Sequence, residues 1–291
     1  MIMHKNFLFL TALALFVSCG PQARKASAVV NSYAREIENA DANDESLRGD
    51  YEHNGKTVKI DDDLTFAMPT TPQGTPEQIL RNEAYVSSYN YKTLLPNWVA
   101  WHLTADHAQG SVQRKGIGFT PDDRVPEQYR VTTYDYMRSG YDRGHMCPAG
   151  DNKWSLEAMQ QCFLMTNMCP QDHGLNIGDW NEMENQCRRW AKEYGDIYIV
   201  CGPILYKGNH KRIGQDHKVT VPEAFFKVVL CMNGTPKGIG FIYRNTDGNR
   251  PKGDYVNSID QVERITGLDF FPTLPDNIEN KVEAEADLED W

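Results

Sequence analysis

The sequence predicts an α+β fold, a mainly antiparallel sheet with flanking helices, and three observations carry that expectation. Seven stretches are β-branched and aromatic over strand lengths: "YVSSYNY", "NWVAWHLT", "QYRVTTYDY", "CFLMTNM", "DIYIVCG", "AFFKVVLCM" and "IGFIYRN". Turn signals separate them. Helical segments are interleaved, which favours α+β over an all-β layout. In "SLEAMQQCF" Ser155 stands where an N-cap belongs. In "GDWNEMENQCRRWAKEYG" the residues Trp180, Met183, Cys187, Trp190 and Ala191 fall on one stripe, and Gly195 supplies the stop. A third helix is expected at "SIDQVERITG". The pentapeptide "KGIGF" occurs at 115–119 and again at 237–241 in unrelated flanks, and reads as two glycine-bearing strands with no internal repeat.

The chain of 291 residues reads as one domain with tails. Lys5 precedes "FLFLTALALFV", an apolar run too short to span a bilayer and of the length of a signal-peptide core, so residues 1–18 are expected to direct export. The run ends "FVSCG". Cys19, after a small residue, resembles the lipidated cysteine of a bacterial lipobox, although Phe16 departs from the aliphatic residue usual at its position. The expected location is the bacterial cell envelope, anchored to the outer membrane or the periplasmic face through lipid on Cys19. Residues 19–63 are polar and charged and read as a lead-in. Residues 64–275 read as the folded domain and 276–291 as a solvated acidic tail. The net charge is −10, of which 1–63 contribute −3, 64–275 contribute −1 and 276–291 contribute −6. A protein that works through a global basic field is thereby excluded; a local basic patch is not.

Six cysteines remain once Cys19 is set aside: Cys147, Cys162, Cys169, Cys187, Cys201 and Cys231. An even number in an exported chain suggests disulfides, with Cys201–Cys231 a plausible pair on two strand-like runs. For Cys147 and Cys169, each before a proline, a mutual bridge or plain packing is favoured over a zinc site, because no paired CxxC spacing is present.

Residues 142–188 hold the candidate chemistry. His145 titrates near neutral pH, and Arg143, two residues earlier on an extended segment, projects to the same side with a planar cation. Asn176, Glu184 and Arg188 follow. Glu184 and Arg188 stand four apart on one helical face, with Asn176 about two turns earlier. A base, two arginines and an amide–carboxylate pair suit phosphoester cleavage, which needs a proton acceptor for water and neutralisation of the phosphoryl oxygens. A hydrogen-bonded histidine beside a solvated Glu–Arg pair fits the same spacing.

"DRGH" at 142–145 followed by "MCPAGD", "TNMCPQ" at 166–171, "LNIGDW" at 175–180 and "EMENQCRRW" at 182–190 resemble the DNA/RNA non-specific endonucleases, the ββα-metal (His-Me finger) family. The resemblance reaches roughly residues 80–270 and implies a Mg²⁺-dependent nuclease acting on DNA and RNA, with Mn²⁺ or another divalent cation able to substitute. It implies His145 as general base, Asn176 as direct metal ligand and Glu184 as the acid that holds water on the metal. Arg143 and Arg188 would contact phosphate, Asn167 would be an active-site asparagine, and Asp142 would be structural or orienting. Arg114 is the candidate for a further substrate-binding arginine. Two other readings compete: a nucleic-acid-binding surface lipoprotein that keeps the fold without turnover, and a phosphodiesterase for small nucleotides.

Overall fold

A computed structural model of the chain describes residues 62–291. The signal segment, Cys19 and nearly all of the lead-in lie outside the described residues.

The strands, in chain order, are β1 Gln78–Arg81, β2 Val86–Asn90, β3 Leu95–Thr104, β4 Asp142–His145, β5 Met168–Gln171, β6 Asp196–Ile204, β7 Arg212–Ile213, β8 Val219–Thr220, β9 Ala224–Cys231, β10 Lys237–Arg244 and β11 Val256–Asn257. Five helices matter for the architecture: α1 Asp62–Ala67, α2 Leu156–Gln161, α3 Asn181–Tyr194, α4 Ile259–Thr266 and α5 Asp276–Ala284. Seven strands form one sheet in the order β1-β2-β3-β6-β9-β10-β11, and every pair in it is antiparallel. β4 and β5 form a separate hairpin, as do β7 and β8.

Register sorts the sheet into two covered faces. Val99↔Cys201, Cys201↔Lys227 and Lys227↔Phe241 place one row of side chains under α3, where Trp190 stacks on Phe241 and Trp180 meets Phe225 and Tyr243. The alternate row faces the other helices. There Tyr198 meets Phe66 of α1, and α4 and α5 come so close to β10 that any Cβ on Gly238 or Gly240 would strike Ile259, Val262 or the Val282 backbone. With helices on both faces, the central strands bury both sets of side chains, and all eight residues of β9 are buried. That is why these strands read as continuous apolar runs without alternation.

Ser155 is the N-cap of α2 as expected, its hydroxyl accepting from Ala158 N. Three expected strands are absent, the first being "KGIGF" at 115–119, which is a turn at Lys115–Gly116 followed by irregular chain. "QYRVTTYDY" forms the 3₁₀ turns Glu127–Tyr129 and Thr133–Tyr136, because Thr132 and Asp135 close a capping box that starts a helical turn. In "CFLMTNM" only Met168 enters a strand, and Met165–Asn167 make a 3₁₀ turn.

All six cysteines of the described residues are free and buried. Cys201 pairs with Lys227, so Cys231 lies four positions further along β9, beyond the span of a disulfide. Residues 276–291 are not a solvated tail. Helix α5 buries Val282, and Trp291 packs on Trp190 with ring centroids 4.6 Å apart. Apart from the buried Glu283, the charges of this segment lie over an apolar seam of Ile278, Val282, Leu288 and Trp291 that joins the core.

Candidate active site

The hairpin β4–β5 pairs Asp142 with Gln171, Arg143 with Pro170, Gly144 with Cys169 and His145 with Met168. Strand alternation sends Arg143 and His145 to one side and Gly144 to the other, where a Cβ would run into the Gln171 side chain, so only glycine fits between them. The chain then passes through a helical turn, His173–Leu175, capped by Asp172, whose Oδ1 accepts from Gly174 N at 2.9 Å. The segment Asn176–Trp180 follows, kinked at Gly178 where the backbone is not helical (φ −96°, ψ −113°), before α3 begins. Trp180 ties the two parts together, its indole Nε1 donating to the His145 carbonyl at 3.1 Å.

Between hairpin and helix lies a cleft of about 670 Å³ whose walls include Arg114, Phe119, Arg143, His145, Asn176, Glu184 and Arg188. Six of the seven sequence-expected site residues in the described region therefore line one cavity. The Arg143 guanidinium lies 4.5 Å from the centroid of Phe119 and that of Arg114 5.3 Å from Phe163, so aromatic faces hold both cations in place. The same two rings flank the His145 imidazole, at 5.5 and 4.9 Å.

Asn176 donates its Nδ2 to Asp142 Oδ2 at 2.9 Å, and His173 Nδ1 pairs with the same oxygen at 2.8 Å. Asp142 thus holds the side chains of both His173 and Asn176. It fixes the amide so that Oδ1 is the atom available to a hard cation. Glu184, on the α3 wall, is pushed up to about 7 by burial, against the lowering influence of Lys227 and Arg188. An amide oxygen and a carboxylate whose ionised form is short of compensating charge are the donors that Mg²⁺ or a similar cation takes, so the residues present fit such an ion.

His145 is lowered to about 3, first by burial and then by Arg114 and Arg143. Its Nε2 is buried and meets no hydrogen-bond partner. The imidazole is therefore neutral throughout the physiological range, the form able to accept a proton.

Arg188 is committed more deeply than the sequence indicates. Its Nη1 pairs with the buried Asp151 at 2.7 Å and its Nη2 donates to Asn185 Oδ1 at 2.8 Å. Asp151 also accepts from Trp101 Nε1 at 3.1 Å, and Gly150 leaves room for the guanidinium.

Asn167 is a correction. It is fully buried below the cleft. Its Oδ1 accepts from Cys147 N at 2.9 Å, and its Nδ2 donates to the carbonyls of Cys147 and Cys162, both at 2.8 Å. Its hydrogen-bonding groups are spent on backbone, so it holds the chain leaving β4 and does not reach the cavity. Thr166, its neighbour, donates to the buried Asp122 at 2.8 Å.

Three contributors escaped sequence reasoning: Asp151, Trp180 as a hydrogen-bond donor, and Lys227. Lys227 is 1% exposed, with its ammonium 4.3 Å from the centroid of Trp180 and 5.1 Å from that of Trp101. A lone lysine inside the apolar run "AFFKVVLC" was the available signal.

A hairpin leading into a helix, with histidine and arginine on the strand and amide and carboxylate on the helix, defines a ββα-metal class of protein. The chain belongs to the DNA/RNA non-specific endonuclease family, whose model matches residues 63–277. It is 38% identical over 226 residues to the mitochondrial nuclease EXOG of Xenopus laevis, covering 72% of this chain and 61% of that one. It is 34% identical to a nuclease of Nostoc sp., covering 73% and 80% of the two chains. The fold is similar to that in a crystal structure of the EndoG/EndoGI complex, with TM-score 0.67 and 28% identity over 74% of this chain and 92% of that one. The chain spans about three fifths of the length of the EXOG relatives from Xenopus laevis and Homo sapiens.

Two outcomes follow from this geometry. Asn167→Ala strips partners from Cys147 N and from the Cys147 and Cys162 carbonyls, and at about 1–3 kcal/mol for each buried group left unsatisfied it should lower unfolding free energy by about 3 kcal/mol or more in urea titration. A variant of unchanged stability without catalytic turnover would return Asn167 to the chemistry. The second concerns His145. Its ring proton resonances in the free, metal-free protein should not titrate between pH 5 and 8. Because its folded value lies below the unfolded value of about 6.5, its contribution to stability is complete above about 6.5 and is lost as pH falls from there toward about 3. An inflection near 6.5 in the native state would show the imidazole to be solvated.

Proposed function

We propose that this chain is an exported, lipid-anchored endonuclease that hydrolyses phosphodiester bonds of DNA and RNA without sequence preference and uses Mg²⁺. The observation that carries the reading is one cleft in which a neutral histidine stands beside two aromatic-backed arginines and faces an oriented amide oxygen and a carboxylate.

Arg114 and Arg143 would bind the scissile phosphate. With Nε2 of His145 sealed in, Nδ1 is the nitrogen left to take the proton from the attacking water. The two arginines that lower His145 are the same groups that a phosphate would neutralise, so substrate binding strengthens the base where it is needed. Asn176 Oδ1 would hold the cation directly, and Glu184 would hold it through water. When bound, the cation supplies charge neutralisation at the phosphoryl and leaving oxygens. Arg188, anchored to Asp151, keeps a positive charge beside Glu184 and favours its ionised form. Recognition through arginines and a cation addresses the backbone, which carries no base information.

The reading is tested by incubating plasmid DNA and RNA with purified protein, with Mg²⁺ and with EDTA. Cleavage should require the cation, His145→Ala should lower the rate by about 10² to 10⁴ while duplex binding is retained, and Asn176→Ala should need more Mg²⁺ for half-maximal rate. Wild-type rates in His145→Ala would overturn the mechanism. Binding without turnover in the wild type would favour the silent surface protein, and activity on dinucleotides but not plasmid would favour a small-nucleotide phosphodiesterase.

Export and anchoring rest on Lys5, the apolar run at 7–17 and the small residue before Cys19. Cys19→Ala should move the protein from the membrane fraction to the soluble fraction. Retention on membranes after a salt wash would rule out the lipid anchor.

A further inference from the structure

On the sheet face opposite the cleft, α4 and α5 bring carboxylates together. Asp260 and Glu263 stand three apart on α4, one side of a helix, and Glu279 and Glu283 stand four apart on α5. One oxygen from each of Asp260, Glu263 and Glu283 lies within 4.8 Å of the other two. Acidic groups on a surface often approach one another, but Glu283 is not on the surface. It is 7% exposed, and its Oε1 is buried with no hydrogen-bond partner. Glu263 spends Oε1 on the Phe270 N–H at 2.7 Å, which fixes its carboxylate and leaves Oε2 for another partner.

The charges that bear most on Glu283 are themselves carboxylates: Glu263, Glu279, Asp260 and Asp269. Burial and these neighbours raise Glu283 to about 8 and Glu263 to about 7. A buried carboxylate normally has a cationic or hydrogen-bonding partner, because the uncompensated charge is costly.

We propose that Asp260, Glu263 and Glu283 form a second divalent-cation site, of the Ca²⁺ class, that clamps the C-terminal helix α5 to α4. All three ligands are hard carboxylate oxygens. Oxygens on opposite sides of one Ca²⁺ at about 2.3–2.6 Å stand up to about 5 Å apart, so a set lying within 4.8 Å of one another is inside its reach, and Ca²⁺ tolerates irregular geometry that Mg²⁺ does not. The ion would connect α5 and the following segment, with its Trp291–Trp190 contact, to the helix packed on β10. Its role is structural, and it is independent of the catalytic reading because none of its ligands lines the cleft.

The test is thermal unfolding of the full chain, freed of metal by a chelator and titrated with Ca²⁺, in parallel with Ca²⁺ stoichiometry by equilibrium dialysis. Asn176→Ala serves as the variant disabled at the cleft and Glu283→Gln as the variant disabled at the clamp. At a hundredfold excess of Ca²⁺ over its Kd, the wild type and Asn176→Ala should both gain about 5–10 °C in Tm. Glu283→Gln should show no gain, bind one fewer ion and cleave plasmid at the wild-type rate. Should Glu283→Gln not fold, Asp260→Asn, at a more accessible ligand, provides the same comparison. A wild type without a Ca²⁺-dependent rise, a rise that persists in the clamp variant, or a rise abolished by Asn176→Ala would each overturn the proposal.

Discussion

The structure depends on charges buried between the sheet and α3. Lys227 rises from the centre of β9 between the rings of Trp101 and Trp180, while Asp151 and Arg188 form an ion pair beside it and Glu184 lies within reach of all three. Burial disfavours every ionised form in the set; the neighbours more than offset it at Lys227 and Arg188 and only in part at Asp151 and Glu184. Removing one partner of such a group typically costs about 3–5 kcal/mol, because the others are left uncompensated in a medium that solvates them poorly. The same set fixes the electrostatics of the cleft wall. Lys227 and Arg188 draw Glu184 toward its ionised form from behind, where solvent does not screen them as it screens surface charges.

A second constraint joins the two walls. The Trp180 indole donates to the His145 carbonyl, Asp142 holds both His173 and Asn176, and Asn167 binds the backbone that leaves β4. His145 and Asn176 are therefore fixed to each other through short chains of hydrogen bonds between hairpin and helix. Side chains held in this way lose little further freedom when a substrate arrives.

Much of this was legible in the sequence. The long apolar strands announced themselves through composition, and the α3 stripe of Trp180, Met183, Cys187, Trp190 and Ala191 is buried as its periodicity required, Trp180 just ahead of the helix. Arg114, Arg143, His145, Asn176, Glu184 and Arg188 converge because strand and helix periodicities aim them together. What escaped depended on tertiary context. A capping box overrode the β-propensity of "QYRVTTYDY". Motif position could not separate a buried clamp at Asn167 from a residue in the cavity. Export chemistry suggested disulfides, whereas strand register keeps Cys201 and Cys231 apart. The acidity of 276–291 hid the apolar seam beneath it, since net charge says nothing about which face carries it.

The break at Gly178 has a consequence for how Asn176 and Glu184 came to share a wall. Eight residues of regular α-helix advance about 800°, leaving the two side chains roughly 80° out of phase, whereas seven leave them about 20° apart. The backbone at Gly178 is not helical, so the angle between this pair is set by the kink and not by a continuous helix. The relative orientation of amide and carboxylate thus hinges on two backbone torsions at one glycine, a position remote from both side chains in chemistry yet able to turn one against the other.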